Sequence, residues 1–181
     1  MKQCYSKILF LLFICSFATA QVTINAELRP RFEFRHGFQT LFLENIDPAA
    51  FISQRTRLNA DYKKEYLNFY LSVQDIRWGD VPQLNRADRN GFAVHQAWGE
   101  SRFTPELSLK LGGQVLNYND QRIFGGVAWA QQARSYDVSL FKYHKNRSRF
   151  HLGAAFNQDG ESNTGNTLTI ANTYKSIQYA Y

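Results

Sequence analysis

Read in steps of two, residues 22–35 separate into two classes. Val22, Ile24, Ala26, Leu28, Pro30, Phe32 and Phe34 hold the even positions, and Thr23, Asn25, Glu27, Arg29, Arg31, Glu33 and Arg35 the odd ones. Successive side chains of a β-strand point to opposite faces, so the pattern predicts a strand with one dry and one wet side. Its length exceeds the roughly five or six residues usual in soluble proteins. Pro30 lies inside it and removes a ladder donor, which leaves open a bulge, an edge position or two shorter strands.

The same period recurs along the chain and predicts eight strands, near 22–36, 51–63, 66–78, 93–103, 107–118, 134–144, 150–158 and 167–181. In the second, Arg55, Arg57, Asn59 and Asp61 share one face, and Ile52, Leu58, Ala60 and Tyr62 the other. The third sets Leu67, Phe69, Leu71 and Val73 against Asn68, Tyr70, Ser72 and Gln74, then slips at Asp75-Ile76 as at a bulge. The fourth has the weakest pattern, with Gln96, Trp98 and Glu100 assigned to its wet face. Short turns are expected near residues 63–65, 104–106 and 145–148. Long connections are expected at 37–50, 79–92, 119–133 and 159–166, with loop chemistry such as Asp47-Pro48 and Arg89-Asn90-Gly91.

Alternation alone does not say which face meets water. A soluble barrel buries its apolar face, whereas an outer-membrane barrel turns it to lipid and lines its interior with polar groups. Three features favour the membrane form. The strands reach the roughly nine to eleven tilted residues a bilayer requires. Short turns alternate with long loops, and aromatics (Phe32 and Phe34; Tyr62 and Tyr66) sit near strand ends like interfacial girdles. The predicted fold is therefore an all-β, antiparallel up-and-down transmembrane β-barrel.

Residues 1–20 add a compartment. Lys2 and Lys7 precede the apolar run Ile8–Ala18, and Ala18-Thr19-Ala20 before Gln21 fits signal-peptide cleavage between Ala20 and Gln21. A lipoprotein anchored at Cys15 or a retained membrane helix are the alternatives. The expected organisation is a leader at 1–20 and a barrel domain at 21–181, located in the outer membrane with lipid as its partner. Both cysteines, Cys4 and Cys15, fall in the leader. Loss of Lys2 and Lys7 with it would leave 19 basic residues against 15 acidic ones, a modest excess. That balance does not point to a nucleic-acid partner.

Catalytic and metal chemistry is sparse. His36, His95, His144 and His151 lack metal-ligand spacing, and there is no nucleophile elbow, phosphate-binding glycine loop or zinc motif. His36, Asp47 and Asp80 could gather at a rim, but any loop-rich chain offers such a set. No enzyme, metal or cofactor is expected. What remains is a series of arginines. Arg29, Arg31, Arg35, Arg55 and Arg57 lie on wet faces of neighbouring strands, with Arg77, Lys110 and Arg122 expected to join them. Such a set either attracts anions to a lumen or pairs with carboxylates as a structural lining.

Several segments resemble the alginate-export family of outer-membrane β-barrels. They are Ala26-Glu27-Leu28-Arg29-Pro30-Arg31-Phe32-Glu33, Ser53-Gln54-Arg55-Thr56-Arg57-Leu58, Ala97-Trp98-Gly99-Glu100, Leu111-Gly112-Gly113-Gln114 and Asp120-Gln121-Arg122-Ile123-Phe124-Gly125. The resemblance implies a barrel of roughly eighteen strands that passes an anionic uronate polymer, with Arg29, Arg31, Arg55, Arg57 and Arg122 in its lining. The sequence departs from the family at Gly112-Gly113-Gln114, where relatives tend to carry Gly-Arg-Gln. Eight strands would make the chain the N-terminal part of such a barrel. A complete eight-stranded barrel is the alternative, suggested by the aromatic ending Tyr179-Ala180-Tyr181. The expected function is a channel for anionic solutes or acidic saccharides. A structural or adhesive barrel and a soluble secreted binding barrel remain alternatives.

Overall fold

The computed structural model describes residues 22–37, 46–78, 81–82, 92–158, 164–165 and 174–181. The leader with its cleavage site, Asp80, the Arg89-Asn90-Gly91 loop and the first half of the eighth predicted strand lie outside them. The described residues hold nine strands and no helix: β1 (Val22–Arg35), β2 (Ala49–Lys64), β3 (Leu67–Trp78), β4 (Val81–Pro82), β5 (Phe92–Arg102), β6 (Leu107–Gln114), β7 (Tyr136–Lys145), β8 (Ser148–Phe156) and β9 (Ser176–Ala180). All pairings are antiparallel, in the order β1-β2-β3-β5-β6-β7-β8-β9, with the two-residue β4 paired to β3. The chain is thus an all-β, up-and-down sheet of eight strands plus β4. Among the described residues its edges, β1 and β9, are not paired to each other. Pro30 sits within a continuous β1, opposite Gln54, on the edge strand where a missing donor is tolerated.

The register fixes the faces, because directly opposed residues point the same way. One face carries Leu28, Phe32, Leu58, Phe69, Leu71, Val94, Leu111 and Leu152, all exposed. The opposite, inner face carries Arg55, Asn59, Asn68, Ser72, Gln74, Glu100 and Ser108, all buried. Among the described residues, eleven buried side chains are polar or charged and seven are hydrophobic. Soluble proteins show the reverse preference.

The inner face is occupied by the connection between β6 and β7, residues 115–135. Its first part places Leu116, Tyr118 and Phe124 against Tyr136, Ile177 and Tyr179 of β7 and β9. Its second part, 128–132, bonds to β1, β2 and β3. A flat sheet would separate β1 from β9 by roughly 34 Å at ~4.8 Å per strand. Ten residues reach that far only when fully extended, yet this connection holds turns at Tyr118–Gln121 and Val127–Ala130. The sheet therefore curls around it.

Two expectations are corrected. The fifth predicted strand continued to Tyr118, but β6 ends at Gln114. Gly112 has φ +113°, and a Cβ there would lie 2.3 Å from the Ala97 carbonyl oxygen, so the strand bends at a position only glycine fits. The slip expected at Asp75-Ile76 is not in the backbone, since β3 stays in step with β2 through Trp78. The register shift falls instead between β3 and β5, where Ser72 opposes Gln96 and Val73 opposes Val94. His95 is the extra residue of that bulge, and it is buried.

Candidate functional site

Five arginines project from β1 and β2 onto the inner face. The register sets Arg29 opposite Arg55, Glu27 opposite Arg57 and Arg31 opposite Ser53. Stacking guanidinium groups this closely requires acceptors between them. Glu33 is clamped on both sides, taking bonds from Arg31 (Nη2 to Oε1, 2.5 Å) and Arg35 (Nη2 to Oε2, 2.5 Å). Arg35 also lies over the Phe51 ring, 4.7 Å from its centroid. Glu27 accepts from Arg55 at 2.5 Å and lies 3.9 Å from Arg57. Arg57 turns its remaining donors to Gln74 Oε1, at 2.6 Å from Nη2. Asn25, Asn59 and Ser72 continue the polar row, joined at 2.7 and 2.6 Å.

Two glutamates thus serve five arginines, and main-chain carbonyls supply much of what is missing. Arg29 donates to the carbonyls of Ala128 (2.5 Å) and Trp129 (2.9 Å), and Arg31 to that of Trp129 (2.8 Å). Arg55 reaches the carbonyls of Ala130 (3.4 Å) and Gln131 (3.1 Å). Gln74 Nε2 donates to the carbonyl of Gln132 at 3.0 Å, and Gln131 Nε2 to Ser53 Oγ at 2.8 Å. Val127 (φ +48°) and Ala133 (φ +57°) bracket this run in the left-handed region, which is uncommon for alanine and an outlier for a β-branched residue.

Across the sheet the inner face changes character. Glu100 accepts from Lys142 (2.5 Å) and Ser108 (2.7 Å), and Lys110 sits 3.6 Å from the centroid of Trp98, which stacks on Tyr70. Tyr118 bonds His151 Nδ1 (2.9 Å) and the Tyr179 hydroxyl (3.1 Å), and Tyr181 donates to Asn119 Oδ1 (3.0 Å). Burial holds the Tyr118 phenol above its usual pKa, so it stays a neutral group.

Of the predicted lining, Arg29, Arg31, Arg35, Arg55 and Arg57 come together. Lys110 is on the same face but on β6, in the Glu100 and Lys142 network. Arg122 belongs to the β6–β7 connection, is exposed, and pairs with Asp120 at 2.6 Å. Arg77 lies on the opposite, apolar face, where it opposes Gln54 and pairs with Asp75 at 2.6 Å. The expectation that Arg77 joins the arginine set is therefore corrected: β3 keeps its step, and position 77 falls on the outward parity. The placement of Gln96, Trp98 and Glu100 on the wet face agrees with their pairing to Ser72, Tyr70 and Asn68.

Residues 119–133, expected from sequence as a long connection, instead fill the inner face. A signal was present. Gly125-Gly126-Val127-Ala128-Trp129-Ala130-Gln131-Gln132-Ala133 carries no charge and much apolar surface, unlike a solvated loop. In comparisons of the chain with protein-family models, curated proteins and solved structures, nothing matches.

Proposed function

We propose that the chain forms the wall of an outer-membrane β-barrel channel, reached through a cleaved leader, that passes anionic solutes with acidic saccharides among them. One observation carries the reading: burial is inverted. Leu28 and Phe32 are 66% and 68% exposed, while Arg55 is 4% exposed and Ser72 fully buried. Exposing that apolar area to water would cost about 25 cal/mol per Å², and hydrocarbon removes the cost. Aromatic residues at both ends of the outward face, Phe32, Phe34 and Phe156 against Tyr66, Tyr143 and Phe150, suit membrane interfaces. The anion preference follows from five arginines on β1 and β2 facing two glutamates. The resemblance to the alginate-export family points the same way, through short motifs that include four of these arginines, Arg29, Arg31, Arg55 and Arg57.

A second reading, a narrow barrel with a structural role and no wide pore, is favoured by residues 115–135 occupying the inner face. Planar-bilayer recording separates the two. The channel reading expects discrete steps whose reversal potential shows anion preference, shifted toward zero in Arg29→Gln/Arg31→Gln. Absence of steps from protein showing heat-modifiable migration supports the narrow barrel.

A further inference from the structure

We infer that residues 128–132 form an anion-released gate, with the Arg29 and Arg31 guanidinium groups serving alternately as the anchor of the segment and as an oxyanion site. The inference rests on the channel reading and assigns regulation to its arginine lining. Arg29 directs its bonds to two main-chain carbonyls, and Arg31 shares the second of them while also holding Glu33. A carbonyl is a neutral acceptor. A carboxylate or other oxyanion offers a guanidinium shorter and stronger bonds, two at a time, so such a ligand competes directly with the carbonyls of Ala128 and Trp129.

The site can be reached before the segment moves, because the Arg31 side chain is one-third exposed. The segment has reason to leave once its anchor is taken. Val127 and Ala133 hold left-handed backbone at its two ends, and release relaxes both. Its other ties are the bonds of Arg55 to the carbonyls of Ala130 and Gln131, at 3.4 and 3.1 Å, and the neutral bonds of Gln131 to Ser53 and Gln132 to Gln74. The aromatic packing of Tyr118 and Phe124 against β7–β9 keeps the other half in place. The moving part is thus 127–133, and the hinge points are the two strained residues.

Ala130 is buried within the anchored run and provides the probe. Ala130→Cys in the full-length chain, with Cys4 and Cys15 replaced by serine, is folded into detergent micelles, checked by heat-modifiable migration and labelled with a maleimide. Citrate and a galacturonate oligomer are titrated separately at matched ionic strength against sodium chloride. Labelling should accelerate about tenfold when the anion reaches ten times its Kd for the released form. Acceleration by both probes identifies a free oxyanion as sufficient; acceleration by the oligomer alone identifies an acidic saccharide. In Arg29→Gln/Arg31→Gln, where Arg55 alone of the arginines still donates to the segment, labelling without anion should be faster than in the wild-type chain and unresponsive to anion. Labelling unchanged by either anion, or an anion response that survives the double substitution, overturns the gate. Since labelling needs no conduction, its failure is distinct from absence of channel steps.

Discussion

Replacing Arg55 by methionine removes the most buried member of the arginine set while keeping much of its volume. Two groups of interactions disappear. The ion pair with Glu27 is 2.5 Å long, with side-chain exposures of 5% and 38% for Arg55 and Glu27. A bond to a charged group contributes about 1.5–3 kcal/mol when buried. Glu27 is more than a third exposed and keeps Arg57 at 3.9 Å, so solvent screening brings the loss to about 1–1.5 kcal/mol. The carbonyls of Ala130 and Gln131, both in buried residues, lose their donor, costing about 1–2 kcal/mol together. Against this, the buried Arg55 Nε has no hydrogen-bond partner among the described residues, and its removal returns roughly 0.5–1 kcal/mol.

The expected net destabilisation is about 2 kcal/mol, within a factor of two. Urea unfolding of the refolded protein, followed by tryptophan emission and by heat-modifiable migration, measures it. A double-mutant cycle with Glu27→Gln isolates the ion pair, and its coupling should be about 1 kcal/mol. Wild-type stability for Arg55→Met would refute the view that the arginines tie the inner segment to the sheet. An equal loss in the Glu27→Gln background would assign the effect to the carbonyls alone.

Two further outcomes follow from particular contacts. Gly153 lies beneath the Tyr179 ring, where an added Cβ would meet Cε1 at 2.0 Å, so Gly153→Ala should cost about 1–3 kcal/mol by overpacking and be relieved by Tyr179→Ala, both read by urea unfolding. Arg77 lies on the outward face with Asp75, so Arg77→Gln should leave the reversal potential of the channel unchanged while Arg29→Gln shifts it; equal shifts would contradict the face assignment.

Much of the sheet was legible because alternation is a strong local code where the two faces meet different surroundings. Residues 22–35 read as one strand, and β1 spans them without interruption. The code reports surroundings, however, and only indirectly the backbone. Beyond Val73 the outward positions become Asp75 and Arg77 while the inward one becomes Ile76. That exchange imitates a one-residue slip although the ladder to β2 never shifts. Arg77 is the eleventh residue of β3. A bilayer takes up roughly nine to eleven tilted residues, so on the membrane reading the pair with Asp75 sits at the far rim, where charge on the outer face is cheap. The true bulge, at His95, blurs the alternation of its strand: outward residues are Phe92 and Val94 before it and Ala97 and Gly99 after it, which is why the fourth predicted strand has the weakest pattern.

The five arginines of β1 and β2 could be placed from sequence, but their main-chain partners could not. A guanidinium donates hydrogen bonds and accepts none, so it must find acceptors wherever the fold brings them. Here many are main-chain carbonyls nearly a hundred residues away, and carbonyls carry no sequence signature. What the sequence did contain was the imbalance, five arginines for two glutamates on β1 and β2. That imbalance requires acceptors from outside these two strands, and an uncharged segment rich in glycine and alanine can bring its backbone close enough to supply them. On the channel reading, the same imbalance would link lining to cargo: a face whose cations are held by neutral carbonyls is one on which an arriving oxyanion gains more than it displaces.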